Sequence, residues 1–235
     1  MAAPMVLWSL SSPPPAGHAG LNLLHLPFLR IQHLPRSVEA ERVALCRSVV
    51  VTSVHVLPAL APHRDRLEQL PFYAVGETTG RALQDSGFRK VETPPTATAR
   101  DLVAYLRQRS LPPDVFFPHG SRGGKTVLDY LRDAAFPHYS PVVYRSLPRP
   151  ADDILPDLPD ESPIAVILGS PSAAGVWIGV QAALNEQVPI CAIGPTTAAA
   201  CGEAGLDVLL EAESGDTADL FRQLGQHFQT EGKPS

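Results

Sequence analysis

The chain has 235 residues, of which 44% are hydrophobic, and a formal net charge of −5. This length allows one large domain or two domains of about 110 residues each, and the hydrophobic content is sufficient to bury a core. The negative net charge argues against nucleic acid as a main partner, because a phosphate-binding surface needs clustered Lys and Arg.

The three cysteines, Cys46, Cys191 and Cys201, show neither CxxC nor Cys/His metal-ligand spacing. We expect reduced core cysteines in a cytoplasmic protein, rather than a disulfide or zinc framework. No apolar run approaches the roughly 18–20 residues of a membrane span, and the N-terminus lacks the basic residues that open a signal peptide. The sequence therefore predicts a soluble α/β protein without a membrane partner.

Apolar segments and helical patterns alternate along the chain. Strands are predicted at 5–10, 21–26, 48–51, 72–75, 114–117, 142–144, 165–168, 190–193 and 208–210. Helices are predicted at 38–46, 54–60, 78–86, 96–109 with Thr98 as N-cap, 126–135, from the 169–172 turn to about 185, after Gly194, and 217–229. Strands that alternate with helices at this spacing predict parallel sheets covered on both faces. The proline-rich segment 11–20 is predicted to be a loop, and 148–163 a linker or an excursion from the fold.

An internal repeat relates the two halves of the chain. Gly194, Thr196 and Thr197 recur 118 positions earlier as Gly76, Thr78 and Thr79, and both sets follow an apolar strand. The segment 115–121 matches 6–12 at an offset of 109, so nine residues are missing after the first strand. Two α/β modules follow from this repeat, and we expect the first to lack most of the helix that 125–135 provides in the second.

Glycines and hydroxyl residues follow the predicted strands at five turns. In parallel α/β sheets ligands bind beyond the carboxyl ends of strands, where helix N-termini present unpaired N–H groups. Such turns suit a ligand with several carboxylates or phosphates, although each hydroxyl could equally be an ordinary helix cap. The candidate binding residues are Thr52, Ser53, Gly76, Thr78, Thr79, Gly120, Ser121, Ser170, Ser172, Gly194, Thr196 and Thr197, with Arg122 and Lys125 as possible cationic contacts.

Three further candidates carry weaker patterns. His119 is the one histidine at a strand-end turn, and Tyr144 ends a strand at the junction of the modules; either could line a site or simply pack. The segment 120–126 misses the phosphate-loop spacing by one residue, so nucleotide binding stays a third alternative. No Ser-His-Asp order, paired catalytic carboxylates or metal cluster is present. Any catalysis would therefore depend on positioning and hydrogen bonding.

Six short segments, in this order, resemble uroporphyrinogen-III synthase: 51–53, 74–79, 116–121, 142–146, 169–173 and 192–197. The resemblance runs from about Val6 to Leu224. It implies an α/β fold of two flavodoxin-like lobes with parallel sheets, joined by two extended connecting strands at 29–34 and 142–147. Residues 1–32 and 146–235 would form the first lobe, and 36–142 the second.

The implied reaction is cyclisation of hydroxymethylbilane to uroporphyrinogen III, with loss of water and inversion of ring D through a spiro intermediate. The resemblance implies a small-molecule substrate with eight carboxylates, no metal and no cofactor, and we expect a monomer. Tyr144 would assist departure of the hydroxyl. Carboxylates would be bound by Thr52, Ser53, Thr79, Ser121, Ser170, Ser172, Thr196 and Thr197.

The sequence departs from the family pattern at two places. Leu10 occupies a position where many bacterial members have a basic residue, and a proline-rich loop replaces the first helix. These departures leave a second reading open, in which the chain is a non-catalytic bilobed module that binds a polyanionic small molecule such as a linear tetrapyrrole.

Overall fold

The computed structural model describes residues 4–14, 20–184, 186–212 and 217–231. Its strands, numbered in chain order, are β1 (Met5–Trp8), β2 (Asn22–His25), β3 (Leu29–His33), β4 (Ser48–Val51), β5 (Phe72–Ala74), β6 (Val91–Glu92), β7 (Val115–Phe116), β8 (His119–Gly120), β9 (His138–Tyr139), β10 (Val142–Pro148), β11 (Ala165–Leu168), β12 (Ile190–Ala192) and β13 (Val208–Glu211).

The α-helices are α1 (Ala40–Leu45), α2 (Leu57–Leu60), α3 (Arg64–Leu67), α4 (Glu77–Asp85), α5 (Ala99–Arg107), α6 (Lys125–Asp133), α7 (Ala151–Ile154), α8 (Pro171–Leu184), α9 (Pro195–Glu203) and α10 (Thr217–Glu231). Short 3₁₀ helices, among them Val54–Val56, join some of them. The predicted N-cap of α5 is confirmed, because the Thr98 hydroxyl accepts a hydrogen bond from the Asp101 N–H at 3.2 Å.

The chain divides into two compact units. Unit 1 contains the described residues up to Arg30 and from Leu147 onward, and unit 2 contains Ile31–Ser146. Among the described residues, no helix is long and apolar enough to cross a bilayer.

In unit 2 a five-stranded sheet has the order β6-β5-β4-β7-β9, with every pair parallel. The strand order reverses between β4 and β7, because the chain moves outward from β4 to β6 before it returns on the other side. Such a reversal is the place where ligands bind in open α/β sheets.

In unit 1 the five-stranded sheet has the order β13-β12-β11-β1-β2, again all parallel. From the β2 edge this is the flavodoxin-like order 2-1-3-4-5. The sheet of unit 2 has the same spatial order of strands. Its first strand along the chain, β4, takes the position that the third strand, β11, takes in unit 1. The structure agrees with the predicted repeat, because the first and last residues of β12 each lie 118 positions after those of β5.

Two longer strands, β3 and β10, connect the units, as the predicted fold class requires. They lie in a three-stranded sheet with the order β3-β10-β8. Within unit 2, the Leu34 N–H donates to the Val143 carbonyl at 2.8 Å.

Each five-stranded sheet is buried on both faces. In unit 2, Val49 and Val51 belong to one apolar cluster, while Val50 belongs to the cluster on the opposite face. Successive side chains of a strand point to opposite faces, which explains why an uninterrupted apolar run such as 49–51 forms a central strand. Unit 1 likewise has two clusters, with Val166 in one and Ile167 in the other.

Two loop predictions had different outcomes. The segment 148–163 is not simply a linker, because α7 forms inside it and Ile154 is fully buried against unit 1. Between β1 and β2, residues 9–14, 20 and 21 form no helix, as expected from their prolines. Residues 15–19 of the same predicted loop lie outside the described part of the chain.

Candidate functional site

In unit 2 the predicted polar residues gather where the strand order reverses. Thr52 and Ser53 follow the carboxyl end of β4, and His119, Gly120 and Ser121 follow that of β7, its neighbour in the sheet. The Ser53 hydroxyl accepts a hydrogen bond from the His55 N–H at 3.3 Å. It keeps its own proton for donation, because a serine hydroxyl can accept and donate at once.

Tyr144 lies directly over Gly120. The two residues are paired in the parallel ladder between β8 and β10, and the strand register shifts next to them. A Cβ atom placed on Gly120 would lie 2.5 Å from Cζ and 2.8 Å from the hydroxyl oxygen of Tyr144. Gly120 is therefore required for its lack of a side chain, which lets the phenol end of Tyr144 rest against the backbone.

The ring of His55 packs against the ring of Tyr144. Its ring centroid is 5.5 Å from that of Tyr144, with the ring planes inclined by 64°. Burial lowers the pKa of His55, and the nearby His33 lowers it further. His55 was not among the predicted site residues, although its position two residues after Ser53 would have marked it.

The two Gly-Thr-Thr turns have the same pattern of exposure. Thr78 and Thr196 are exposed, whereas Thr79 and Thr197 are buried. The second threonine of each pair therefore faces the interior, and it can offer a ligand at most its backbone N–H.

The glycines of these turns differ in their role. Gly194 has φ +94° and ψ 164°, a conformation nearly restricted to glycine. Gly76 has an extended backbone, and it must lack a side chain because a Cβ there would lie 2.4 Å from the Cβ of Ala97.

At the corresponding edge of unit 1, Ser170 and Ser172 follow β11. The Ser170 hydroxyl caps α8 by accepting a hydrogen bond from the Ala173 N–H at 3.2 Å. Leu10, which follows β1, covers Gly169, where a Cβ would lie 2.7 Å from the Leu10 Cγ. The strand-order reversal of unit 1 is therefore covered by an apolar side chain.

Lys125 and His119 are less available than the sequence suggested. The Lys125 ammonium donates to the Asp129 carboxylate at 2.8 Å, and this contact raises its pKa. The His119 ring is buried, stacks on Phe117 at 5.3 Å, and places Nδ1 2.9 Å from the Gly120 carbonyl. Because a carbonyl only accepts, Nδ1 carries the proton and Nε2 is left for another partner.

Unit 2 also contains a cavity of about 580 Å³ that sequence reasoning missed. Its lining includes His119, His138, Arg42 and Arg132. These residues come from two helices, α1 and α6, and two strands, β8 and β9, and no spacing pattern relates them. Among the described residues, no group of three or more His, Cys, Asp or Glu side chains could hold a metal ion.

Two parallel sheets with hydroxyls, tight turns and helix N-termini at their carboxyl edges define an α/β protein suited to an anionic small molecule. Comparison with known proteins identifies the family. The family model described as uroporphyrinogen-III synthase HemD matches residues 16–222. The chain therefore belongs to the uroporphyrinogen-III synthase family.

Individual relatives agree with this assignment. A uroporphyrinogen-III synthase from Chlorobaculum parvum is 28% identical over 179 residues, which cover 73% of this chain and 72% of the relative. The crystal structure of uroporphyrinogen-III synthetase from Helicobacter pylori has a TM-score of 0.63 at 18% identity, with 95% of this chain and 99% of that one covered. A mutant uroporphyrinogen III synthase from Thermus thermophilus has a TM-score of 0.55 at 17% identity, with coverage of 97% and 100%.

Family membership makes the chain a cyclising lyase of tetrapyrrole biosynthesis. It favours the enzyme over the non-catalytic binding module, and the two-lobed α/β fold is confirmed.

Proposed function

We propose that this chain cyclises hydroxymethylbilane to uroporphyrinogen III, and that Tyr144 donates the proton with which the hydroxyl group leaves. The observation that carries the proposal is the contact of Tyr144 with Gly120 at the strand-order reversal of unit 2. There the phenol is fixed against the backbone of Gly120 and packs on the ring of His55. No hydrogen bond to another described residue occupies its proton.

The reaction needs an acid once and a base once. Departure of the hydroxyl as water breaks a C–O bond and takes one proton, which Tyr144 supplies. The carbon centre left behind forms a C–C bond to the substituted carbon of ring D, and rearrangement through the spiro intermediate inverts that ring. The final loss of a proton from carbon restores the phenol, so the net change is release of one water molecule. A correctly placed acid of this kind contributes about 10²- to 10⁴-fold in rate.

Carboxylates of the substrate bind at the turns of both units, mainly through neutral donors. In α4 the first helical hydrogen bond is made by the Gly80 N–H, which leaves the N–H groups of Thr78 and Thr79 without a backbone partner in the described part of the chain. In α9 the Thr197 N–H already donates to the Gly194 carbonyl, so Thr196 supplies the free N–H. The positive end of each helix dipole favours a carboxylate there.

The remaining binding residues contribute hydroxyls and backbone groups. Ser53 and Ser170 cap their helices and still have a proton to donate. The full set that we propose is Thr52, Ser53, Gly76, Thr78, Thr79, His119, Gly120, Ser121, Lys125, Ser170, Ser172, Gly194, Thr196 and Thr197. Of these, Thr197 acts by holding its turn through the bond to the Gly194 carbonyl rather than by touching the ligand. Residues 1–32 with 146–235, and residues 36–142, are proposed as the two functional lobes. We propose a cytoplasmic monomer that needs no cofactor and binds no nucleic acid.

A coupled assay tests the proposal. Hydroxymethylbilane is generated in situ, the protein is added, and the oxidised products are separated by chromatography. Isomer III well above the control without protein supports the function, because isomer I forms spontaneously. Isomer I alone from folded protein contradicts it.

The role of Tyr144 is tested with Tyr144→Phe, which removes only the hydroxyl. We expect kcat to fall about 10²-fold or more, with little change in KM. Tyr105→Phe is the matched control, because the Tyr105 hydroxyl donates to Glu92 on the edge strand β6 and should not affect turnover. An unchanged rate in Tyr144→Phe would remove Tyr144 from this role.

A further inference from the structure

The cavity of unit 2 adds two arginines to the cations near the proposed site. Lys125 is paired with Asp129, and Leu10 is apolar. By contrast, Arg42 and Arg132 line the cavity without an ion pair to any carboxylate of the described residues. Arginine binds carboxylates through two parallel hydrogen bonds, which makes it the side chain best suited to such a ligand.

Arg42 is held in place before any ligand binds. Its guanidinium carbon lies 4.2 Å from the centre of the Tyr139 ring. That ring is itself fixed, because the Tyr139 hydroxyl accepts from the Glu39 N–H at 2.8 Å and donates to the Ser37 carbonyl at 3.2 Å. A cation on a fixed aromatic face loses less freedom on binding than a free surface arginine.

The two histidines of the cavity, His119 and His138, can assist the arginines in binding a ligand. Nδ1 of His138 lies 2.8 Å from the Phe136 carbonyl, so it carries the proton, as Nδ1 of His119 does. Each ring thus keeps Nε2 for a ligand. The exposed carboxylate of Glu39 also lines the cavity and offsets one of the two guanidinium charges.

Ser140 supplies an independent sign of a missing partner. Its hydroxyl oxygen is buried at the cavity wall and has no hydrogen-bond partner among the described residues. Buried hydroxyls nearly always have a partner, because an unpaired one loses its bonds to water without compensation. Rotation about the Cα–Cβ bond would turn this hydroxyl toward a bound acceptor.

We propose that this cavity is a binding site for a carboxylate-bearing pyrrole unit, with Arg42 and Arg132 as its ligands for acetate and propionate groups. The volume of about 580 Å³ lies in the usual range for small-molecule sites. The site adjoins the proposed catalytic residues, because His119 lines the cavity and precedes Gly120, on which Tyr144 rests. The inference rests on the proposed function for the source of the pyrrole, which is one ring of the bilane.

The binding experiment uses a stable probe, a monopyrrole with one acetate and one propionate side chain, and its dimethyl ester. Calorimetry with the full chain should detect the diacid and not the ester. Arg42→Gln and Arg132→Gln should each weaken binding about tenfold, the loss of one charge-assisted contact. Arg100→Gln, an exposed arginine of α5 outside the cavity, should bind like the wild type. Ser140→Ala should weaken binding without lowering the melting temperature, because the hydroxyl has no partner to lose.

The enzyme assay then identifies the source of the carboxylate. A KM for hydroxymethylbilane about tenfold higher in Arg132→Gln, with kcat retained, supports a ring of the substrate as the occupant. An unchanged KM, with probe binding still dependent on both arginines, would overturn that assignment in favour of a separate pyrrole acid. Equal binding of diacid and ester would overturn the site itself. A wild-type chain that makes no isomer III but binds the probe would contradict only the proposed function.

Discussion

Gly120→Ala is the most direct test of the arrangement around Tyr144. The new Cβ would lie 2.5, 2.6 and 2.8 Å from Cζ, Cε2 and the hydroxyl oxygen of Tyr144, whereas ordinary contacts are 3.4–4 Å. The phenol end must therefore move by about 1 Å, a displacement that can cost about 10²-fold in rate when it affects a catalytic group. The backbone partner cannot move as easily, because the Ser121 N–H donates to the Tyr144 carbonyl at 3.0 Å.

We expect kcat of Gly120→Ala to approach that of Tyr144→Phe, because both changes remove the hydroxyl from its place. Overpacking should also lower the free energy of unfolding by about 1–3 kcal/mol. Initial rates of isomer III formation at saturating bilane measure the first effect, and thermal denaturation measures the second.

Gly123→Ala is the matched control, because a Cβ at Gly123 meets nothing within 4 Å. It should retain both the rate and the melting temperature of the wild type. The reasoning is refuted if Gly120→Ala turns over within about threefold of the wild type. In that case the position of Tyr144 over Gly120 has no part in the chemistry.

Three further predictions concern other parts of the chain. His55→Ala should lower kcat about threefold to tenfold because it removes the ring that packs on Tyr144, while His55→Phe should retain most of the rate; equal losses in both would contradict a packing role. Ile154→Ala should lower the free energy of unfolding by about 2–5 kcal/mol in urea titrations, because Ile154 is fully buried, whereas a residue of a solvated linker would cost almost nothing. Burial raises the pKa of Cys191 to about 12, so its thiol should resist alkylation in the native protein and react on unfolding; because the folded pKa lies above the unfolded one, its contribution to stability should also decline as pH rises above about 9. Rapid labelling of native Cys191, followed by mass spectrometry, would contradict the buried position.

Much of the fold is predictable from the sequence because the responsible interactions are local or periodic. Residues 49–51 must belong to a central strand, since only burial on both faces accommodates three valines in a row. Thr98 marks the start of α5 because its hydroxyl satisfies an unpaired N–H of the first turn. The repeat at 118 positions predicts two equivalent modules, since equal strand, turn and helix signals produce equal supersecondary units.

The polar edges of the candidate site were also predictable. Parallel strands bring their carboxyl ends to one edge, so hydroxyls after successive strands must gather there. The resemblance, rather than the repeat, supplied the crossing of the chain between the units and the selection of Tyr144. The prediction that 148–163 is a linker was incomplete, because burial of Ile154 depends on a partner surface that the segment itself does not contain.

The sequence by itself determined the central strands, the longer helices and which residues lie at strand ends, because backbone propensity, capping and apolar period act over a few positions. It did not predict the short elements β6, β9, α3 and α7. Tertiary structure alone decided three other features. The two sheets have the same spatial order, but the first strand along the chain takes a different position in each unit. Tyr144 rests on Gly120 because of a register shift between β8 and β10. Arg42 and Arg132 meet at one cavity although 90 positions separate them. Each feature depends on contacts between distant segments, and such contacts leave no periodic trace along the chain.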